Sequence, residues 1–199
     1  LAAHIGDKHA LGLYHCFLDD MKKMLSKQIA KKMMFYTPNE STVAAYFQEN
    51  FDADVELYPQ VGGNLGDRMK NAFSLGFNFG YKKLVLIGSD TPHLPENFLQ
   101  QALEALTNHD CVLGPSPDGG YYLIGFRKEM FLEAAFCRIA WSTERVLEQT
   151  ILALEREMRS FVLLPELRDV DDFYGLQQFY TVASPALRTS QYIIKHNLL

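Results

Sequence analysis

The chain has 199 residues, 48% of them hydrophobic, which is enough to bury a substantial core and suits one globular domain over 1–199 better than two. Its 19 Lys and Arg against 24 Asp and Glu give a net charge of −5, which argues against a nucleic-acid backbone as the main partner and points to a small one. Apolar runs far below membrane-spanning length and the lack of any signal-peptide pattern exclude a membrane partner and make the cytoplasm the expected location.

In chain order, helical spacing covers 8–29, strand-type runs cover 33–36 and 55–58, and a helix over 41–50 separates those two strands. A helix at 65–79, a strand at 84–87 and a helix at 96–107 follow, then strands at 111–113 and 121–126, a helix at 143–158 and a strand at 161–164. Within the first helix "MKKMLSKQIAKK" is basic and amphipathic, and it reads as a solvated face. Strands alternating with helices of this length predict an α/β fold, a three-layer α/β/α arrangement with a mostly parallel mixed sheet. The run "LVLIG" is continuously apolar, as burial on both faces of a sheet requires. Only Asp118-Gly119-Gly120 separates the loop after 113 from the strand at 121–126. That leaves no room for a crossover helix, so the pair is either locally antiparallel or the strand joins the sheet elsewhere. Cys16, Cys111 and Cys137 are widely spaced and form neither a disulfide framework nor a zinc pattern.

In an open α/β sheet, ligands bind beyond the carboxyl ends of the strands. Asp90 stands there, at the end of "KLVLIGSD", between the hydroxyls of Ser89 and Thr91 and before Pro92 and Pro95. A carboxylate at such a mouth suits a hard divalent cation, while a turn or helix-cap aspartate is the plainer reading. In "LRDVDDFYGL" Asp172 reads as the acid that opens a helix, leaving Asp171 as the better ligand candidate; if both strand ends share a crevice, Asp90 and Asp171 hold one ion. Asp118, Gly119 and Gly120 read either as a plain turn or as a shaped substrate wall. Gly62, Gly63 and Gly66 before a helix start offer amides to an anion, and a bound anion would rationalise Arg68 in the first turn, although the spacing fits neither the P-loop nor the dinucleotide fingerprint. Among the histidines, only His93 lies beside the proposed site. Trp141-Ser142-Thr143-Glu144 reads first as a helix start, with an aromatic contact to base or sugar as the alternative.

Taken in order, "GGNLGDRM", "VLIGSDTPHLP", "GPSPDGGYYLIGF", "AWSTERVLEQT" and "LRDVDDFYGL" resemble the bacterial glycosyltransferase-like proteins described as radical-SAM-associated transferases. These belong to the nucleotide-diphospho-sugar transferase superfamily with the GT-A fold and are similar to the guanylyltransferases of molybdenum-cofactor and coenzyme F420 biosynthesis. The resemblance implies a central mixed sheet, a nucleotide or nucleotide sugar across its carboxyl edge, and Mg²⁺ or Mn²⁺ on the phosphates. It also implies that Asp90 and Asp171 bind the metal, that Gln60, Gly62, Gly63, Arg68 and Ser89 lie on the nucleotide side, and that Asp118, Gly119 and Gly120 form the acceptor-side loop, with Asp118 as the catalytic candidate. Such proteins begin with a strand and a Gly/Lys/Arg loop around the phosphates, which is expected directly before Leu1. The expected activity is transfer of a glycosyl or nucleotidyl group to a small acceptor. A non-catalytic nucleotide- or partner-binding protein that keeps the fold without the phosphate loop is the alternative.

Overall fold

A computed structural model of the chain describes residues 1–199. Helices α1 (Ala2–Ile5) and α2 (Asp7–Ser26) come first, followed by β1 (Lys32–Tyr36), α3 (Ser41–Asn50), β2 (Val55–Pro59), α4 (Leu65–Asn78) and β3 (Lys83–Ile87). Next are α5 (Glu96–Ala105), β4 (Cys111–Pro115), β5 (Tyr121–Arg127), two 3-10 turns (Lys128–Met130 and Glu133–Phe136) and α6 (Val146–Arg156). The chain closes with β6 (Phe161–Leu163), α7 (Phe173–Val182) and α8 (Arg188–His196). No helix is long and apolar enough to cross a membrane.

The strands form two ladders rather than one central sheet, because no strand hydrogen-bonds to both: β1 pairs in parallel with β2, and a four-stranded sheet runs β3-β5-β4-β6. Within the larger sheet β4 and β6 are parallel, while β5 is antiparallel to both neighbours. The Asp118-Gly119-Gly120 turn explains the reversal, since a connection this short returns the chain against β4 and inserts it between β4 and β3. Of the two readings that the sequence left open, the antiparallel one holds.

Side chains on alternate positions of the larger sheet feed two cores, which creates three layers. On one face Cys111 and Leu113 of β4 and Ile124 and Phe126 of β5 pack with Met69, Phe73 and Phe77 of α4 and Leu154 of α6. On the other, Val112 of β4 and Leu123 of β5 meet Met21 and Met24 of α2 and Leu99 and Ala102 of α5. Each fully buried Leu or Phe here contributes about 1.5–3 kcal/mol. A third cluster lies under α7 and α8, where Leu13 and Phe17 of α2 meet Val170, Leu176, Phe179 and Ile193.

Helix boundaries follow local capping. Asn64 starts α4 by accepting from the Asp67 amide (2.9 Å), and Asp172 starts α7 by accepting from the Gly175 amide (2.6 Å), as its reading as a helix opener predicts. Helix α6 begins at Val146, later than the apolar spacing suggests, because Thr143 is used in a turn and donates to the Ala140 carbonyl (2.7 Å). Helix α8 was not legible in the sequence, and its start is capped from afar. Asp20 of α2, 3% exposed, accepts from the amides of Arg188 (2.8 Å) and Thr189 (2.9 Å) and from the Thr189 hydroxyl (2.7 Å). Asp20→Ala orphans all three donors; losing a helix cap costs about 0.5–2 kcal/mol and leaving a buried donor unpaired about 1–3 kcal/mol, and water can reach part of the site, so a loss of about 2–4 kcal/mol is expected. Urea unfolding of the two proteins measures this; a shift below about 1 kcal/mol would mean that α8 does not depend on the cap.

Candidate functional site

Strand β3 delivers Gly88, Ser89 and Asp90 at its carboxyl end, as the apolar run predicts. The Asp90 side chain folds back over Gly88: a Cβ built on Gly88 would lie 2.5 Å from Asp90 Oδ1, so a side chain there would make the carboxylate turn aside. The Asp90 carbonyl accepts a hydrogen bond from the Val170 amide (2.9 Å), which ties the segment after β6 to the end of β3. Val170 is buried in the cluster under α7 and α8, and its neighbours Asp169 and Asp171 turn the other way, as alternate residues of extended chain do. As a result Asp90, Asp169 and Asp171 each offer a carboxylate oxygen within 4.8 Å of the others.

The two distant acids expected to converge, Asp90 and Asp171, therefore do so, and Asp169 joins them. Asp169 is the residue that sequence reasoning missed; the signal was the i, i+2 spacing of Asp-Val-Asp, which puts both acids on one side of an extended chain. Asp172 is occupied as the cap of α7.

Asp169 Oδ1 accepts from the Ser116 hydroxyl (3.1 Å), whereas the Asp90 carboxylate meets only its own main-chain amide and no side chain donates to Asp90 or Asp171. Burial, followed by the charges of Asp171 and Asp169, pushes the Asp90 carboxyl up to about 6. Burial also raises Asp169 and Asp171, with Asp171 and Asp118 adding to the first and Asp118 and Asp172 to the second. Asp118 thus lies close enough to act electrostatically on all three. It is anchored by the Gly120 amide, which donates to Oδ1 (2.9 Å). Gly119 has φ 88°, and a Cβ there would sit 2.1 Å from the Glu144 carbonyl oxygen, so the turn requires glycine both for its backbone angle and for its contact with the 139–145 segment.

Ser89 precedes Asp90, with its hydroxyl 3.3 Å from that of Tyr14 on α2. In the glycine-rich loop Arg68 donates to Gln60 Oε1 (3.3 Å) and to the Gly62 carbonyl (3.4 Å), and Gln60 donates to the Phe35 carbonyl (3.2 Å), so loop oxygens orient the guanidinium and leave its other N–H groups without a protein acceptor. Gly62 (φ 140°) lets the loop fold onto the start of α4, and Gly63 follows it in the open. No hydrogen bond or ion pair joins this loop to the four aspartates; the link is Trp141, which lies against Gly66 of α4 and edge-on to Tyr121 of β5. His93 is packed edge-on against Phe179, and burial pushes it down to about 4, which makes it a neutral core group. The three cysteines are free.

Residues 20–143 match the DUF2064 family, described as an uncharacterized protein conserved in bacteria. The chain belongs to DUF2064. This DUF2064 chain is similar to a protein from Desulfovibrio desulfuricans G20 provisionally assigned as a nucleotide-diphospho-sugar transferase, with 32% identity and a TM-score of 0.93 over 99% of this chain and 87% of that one. It shares its fold with a cytidylyltransferase from Leptospira borgpetersenii serovar Hardjo-bovis (16% identity, TM-score 0.56, 91% and 83% covered). The same holds for the 4-diphosphocytidyl-2C-methyl-D-erythritol synthase of Anaerococcus prevotii (8%, 0.58, 82% and 84%). The DUF2064 fold is thus the α/β fold of the nucleotide-diphospho-sugar transferases. No curated protein matches the chain.

The raised aspartates of this DUF2064 chain make a signed prediction. A carboxyl at about 6 in the fold and near 3.8 when unfolded keeps its proton longer in the folded state, so its contribution is neutral below pH ~4 and destabilising as pH rises through 6. In EDTA, Asp90→Asn is therefore expected to be more stable than the parent at pH 7.5, by on the order of 2–3 kcal/mol, and equal to it near pH 3.5. Paired denaturant melts across this range test it; a variant less stable than the parent at pH 7.5 would contradict the assignment of repulsion at this cluster.

Proposed function

We propose that this chain is a Mg²⁺- or Mn²⁺-dependent transferase that uses an activated nucleotide, either a nucleotide sugar or a nucleoside triphosphate, and passes a glycosyl or nucleotidyl group to a small acceptor. One observation carries the reading: three carboxylates gathered within 4.8 Å at the carboxyl edge of the sheet, two of them without a side-chain donor. Like charges gathered in a half-buried crevice raise one another's pKa, and a hard cation with a preference for oxygen ligands suits such a set. The likeness to the Desulfovibrio protein supports the substrate class, and the quoted motifs fit sugar transfer and nucleotidyl transfer alike.

In this reading Asp90, Asp169 and Asp171 would hold the divalent ion, which supplies Lewis-acid polarisation of a phosphate when bound. Asp118 would receive the acceptor's proton: the Gly120 amide fixes its Oδ1 and leaves Oδ2 as the free acceptor. Ser89 and Tyr14 would form the wall beside Asp90, and the Gln60, Gly62, Gly63 and Arg68 loop, held rigid by its own hydrogen bonds, would bound the nucleotide from the start of α4. The protein's share of the catalysis would be mainly positioning.

Calorimetric titration with Mn²⁺ and with nucleoside triphosphates or nucleotide sugars tests the proposal. Asp90→Asn and Asp171→Asn are each expected to weaken Mn²⁺ at least tenfold and to abolish any metal-dependent gain in nucleotide affinity, while Asp169→Asn weakens Mn²⁺ severalfold. Nucleotide binding indifferent to both metal and Asp90 would refute it. Release of pyrophosphate or of a nucleoside diphosphate during turnover distinguishes nucleotidyl from glycosyl transfer.

A further inference from the structure

A second cavity, of about 700 Å³, opens between the 134–139 segment and one face of α6. That volume lies within the ordinary range for small-molecule sites. Three arginines line it. Arg145 and Arg156 come from α6, where Gln149 and Leu152 at intermediate turns share their face, and Arg138 comes from the segment opposite. None of the three guanidinium groups lies within 4.0 Å of a carboxylate, and none donates a side-chain hydrogen bond within the protein.

All three are exposed, and Arg145 and Arg156 stand about 16 Å apart along α6 with Arg138 on the facing segment, an arrangement that stands out in a chain whose net charge is −5. Arg145 is also the N-cap residue of α6, where the helix dipole disfavours a cation and favours an anion. Arg138 holds a left-handed backbone (φ 58°), an uncommon conformation for a long side chain, at the cavity wall. The remaining wall is largely apolar and includes the half-buried Ile139 and the 41% exposed Leu152. Glu157 supplies the one carboxylate of the lining, so three positive charges against one negative leave a surplus of two.

We propose that this cavity binds a small molecule bearing a phosphate monoester on an apolar body. Arginine forks match phosphate oxygens two at a time, so Arg138 with one arginine of the α6 face would take the phosphate while Ile139 and Leu152 receive the apolar part. The site is separate from the aspartate cluster and does not require a metal. The segment that carries Arg138 and Arg145 also braces the Asp118 turn, since the Leu147 amide donates to the Gly119 carbonyl (2.8 Å) and the Glu144 main chain lies against Gly119.

The probe is phenyl phosphate, titrated by calorimetry in EDTA, with inorganic phosphate and benzoate in parallel. Saturable binding of phenyl phosphate is expected, at least severalfold tighter than either fragment. The Arg145→Ala/Arg156→Ala double variant is expected to weaken it at least tenfold. Arg138→Gly, which removes the charge while relieving the backbone, should weaken it without lowering the melting temperature. Lys82→Ala, at an exposed cation elsewhere, should leave it unchanged. Absence of saturable binding, affinity retained in the double variant, or equal loss in Lys82→Ala would overturn the proposal.

Discussion

A single main-chain hydrogen bond, from the Val170 amide to the Asp90 carbonyl, sets the geometry on which the candidate site depends. It joins two segments that are 80 residues apart in sequence. Burial of the Val170 side chain beneath α7 and α8 then decides the direction of its neighbours, because alternate residues of an extended chain face opposite ways. Hydrophobic burial on one side thus aims two carboxylates on the other. Nothing about the acids themselves would bring them together, since their mutual repulsion opposes it. The cluster is held against that repulsion by packing and by the fixed end of β3.

Much of the fold was legible because two-sided burial leaves a continuous apolar signature. β3, β4 and β5 were readable as such runs, and the shortness of the Asp118-Gly119-Gly120 turn made an antiparallel β5 one of two open readings. The helices of the two outer layers followed from their spacing. What the sequence hid were features decided at long range. Helix α8 takes its start from Asp20, 168 residues away, and no local signal reports such a cap. The division into two ladders is likewise invisible along the chain, because it depends on which strand edges meet.

The site was half legible for similar reasons. Asp90 could be placed because a charged residue at the end of an apolar strand needs an explanation, and Asp171 because Asp172 already explained the helix start. Asp169 was obscured by its neighbours, although the spacing held the answer. Arg68 stands in a first helical turn, where a cation invites an anion, and one side-chain and one main-chain oxygen of its own loop accept from it. The same argument applies with more force to Arg145, for which the fold supplies no such oxygens.

Gly88 has an effect that reaches beyond its own position. The space that the Asp90 carboxylate occupies is the space that any larger residue at 88 would claim, so two adjacent stretches of chain compete for one small volume. Drift at position 88 therefore cannot be neutral while the acid keeps its present rotamer. The two positions form a linked pair, and a DUF2064 relative that carries a side chain at the first has either re-aimed the second or given up whatever the second does.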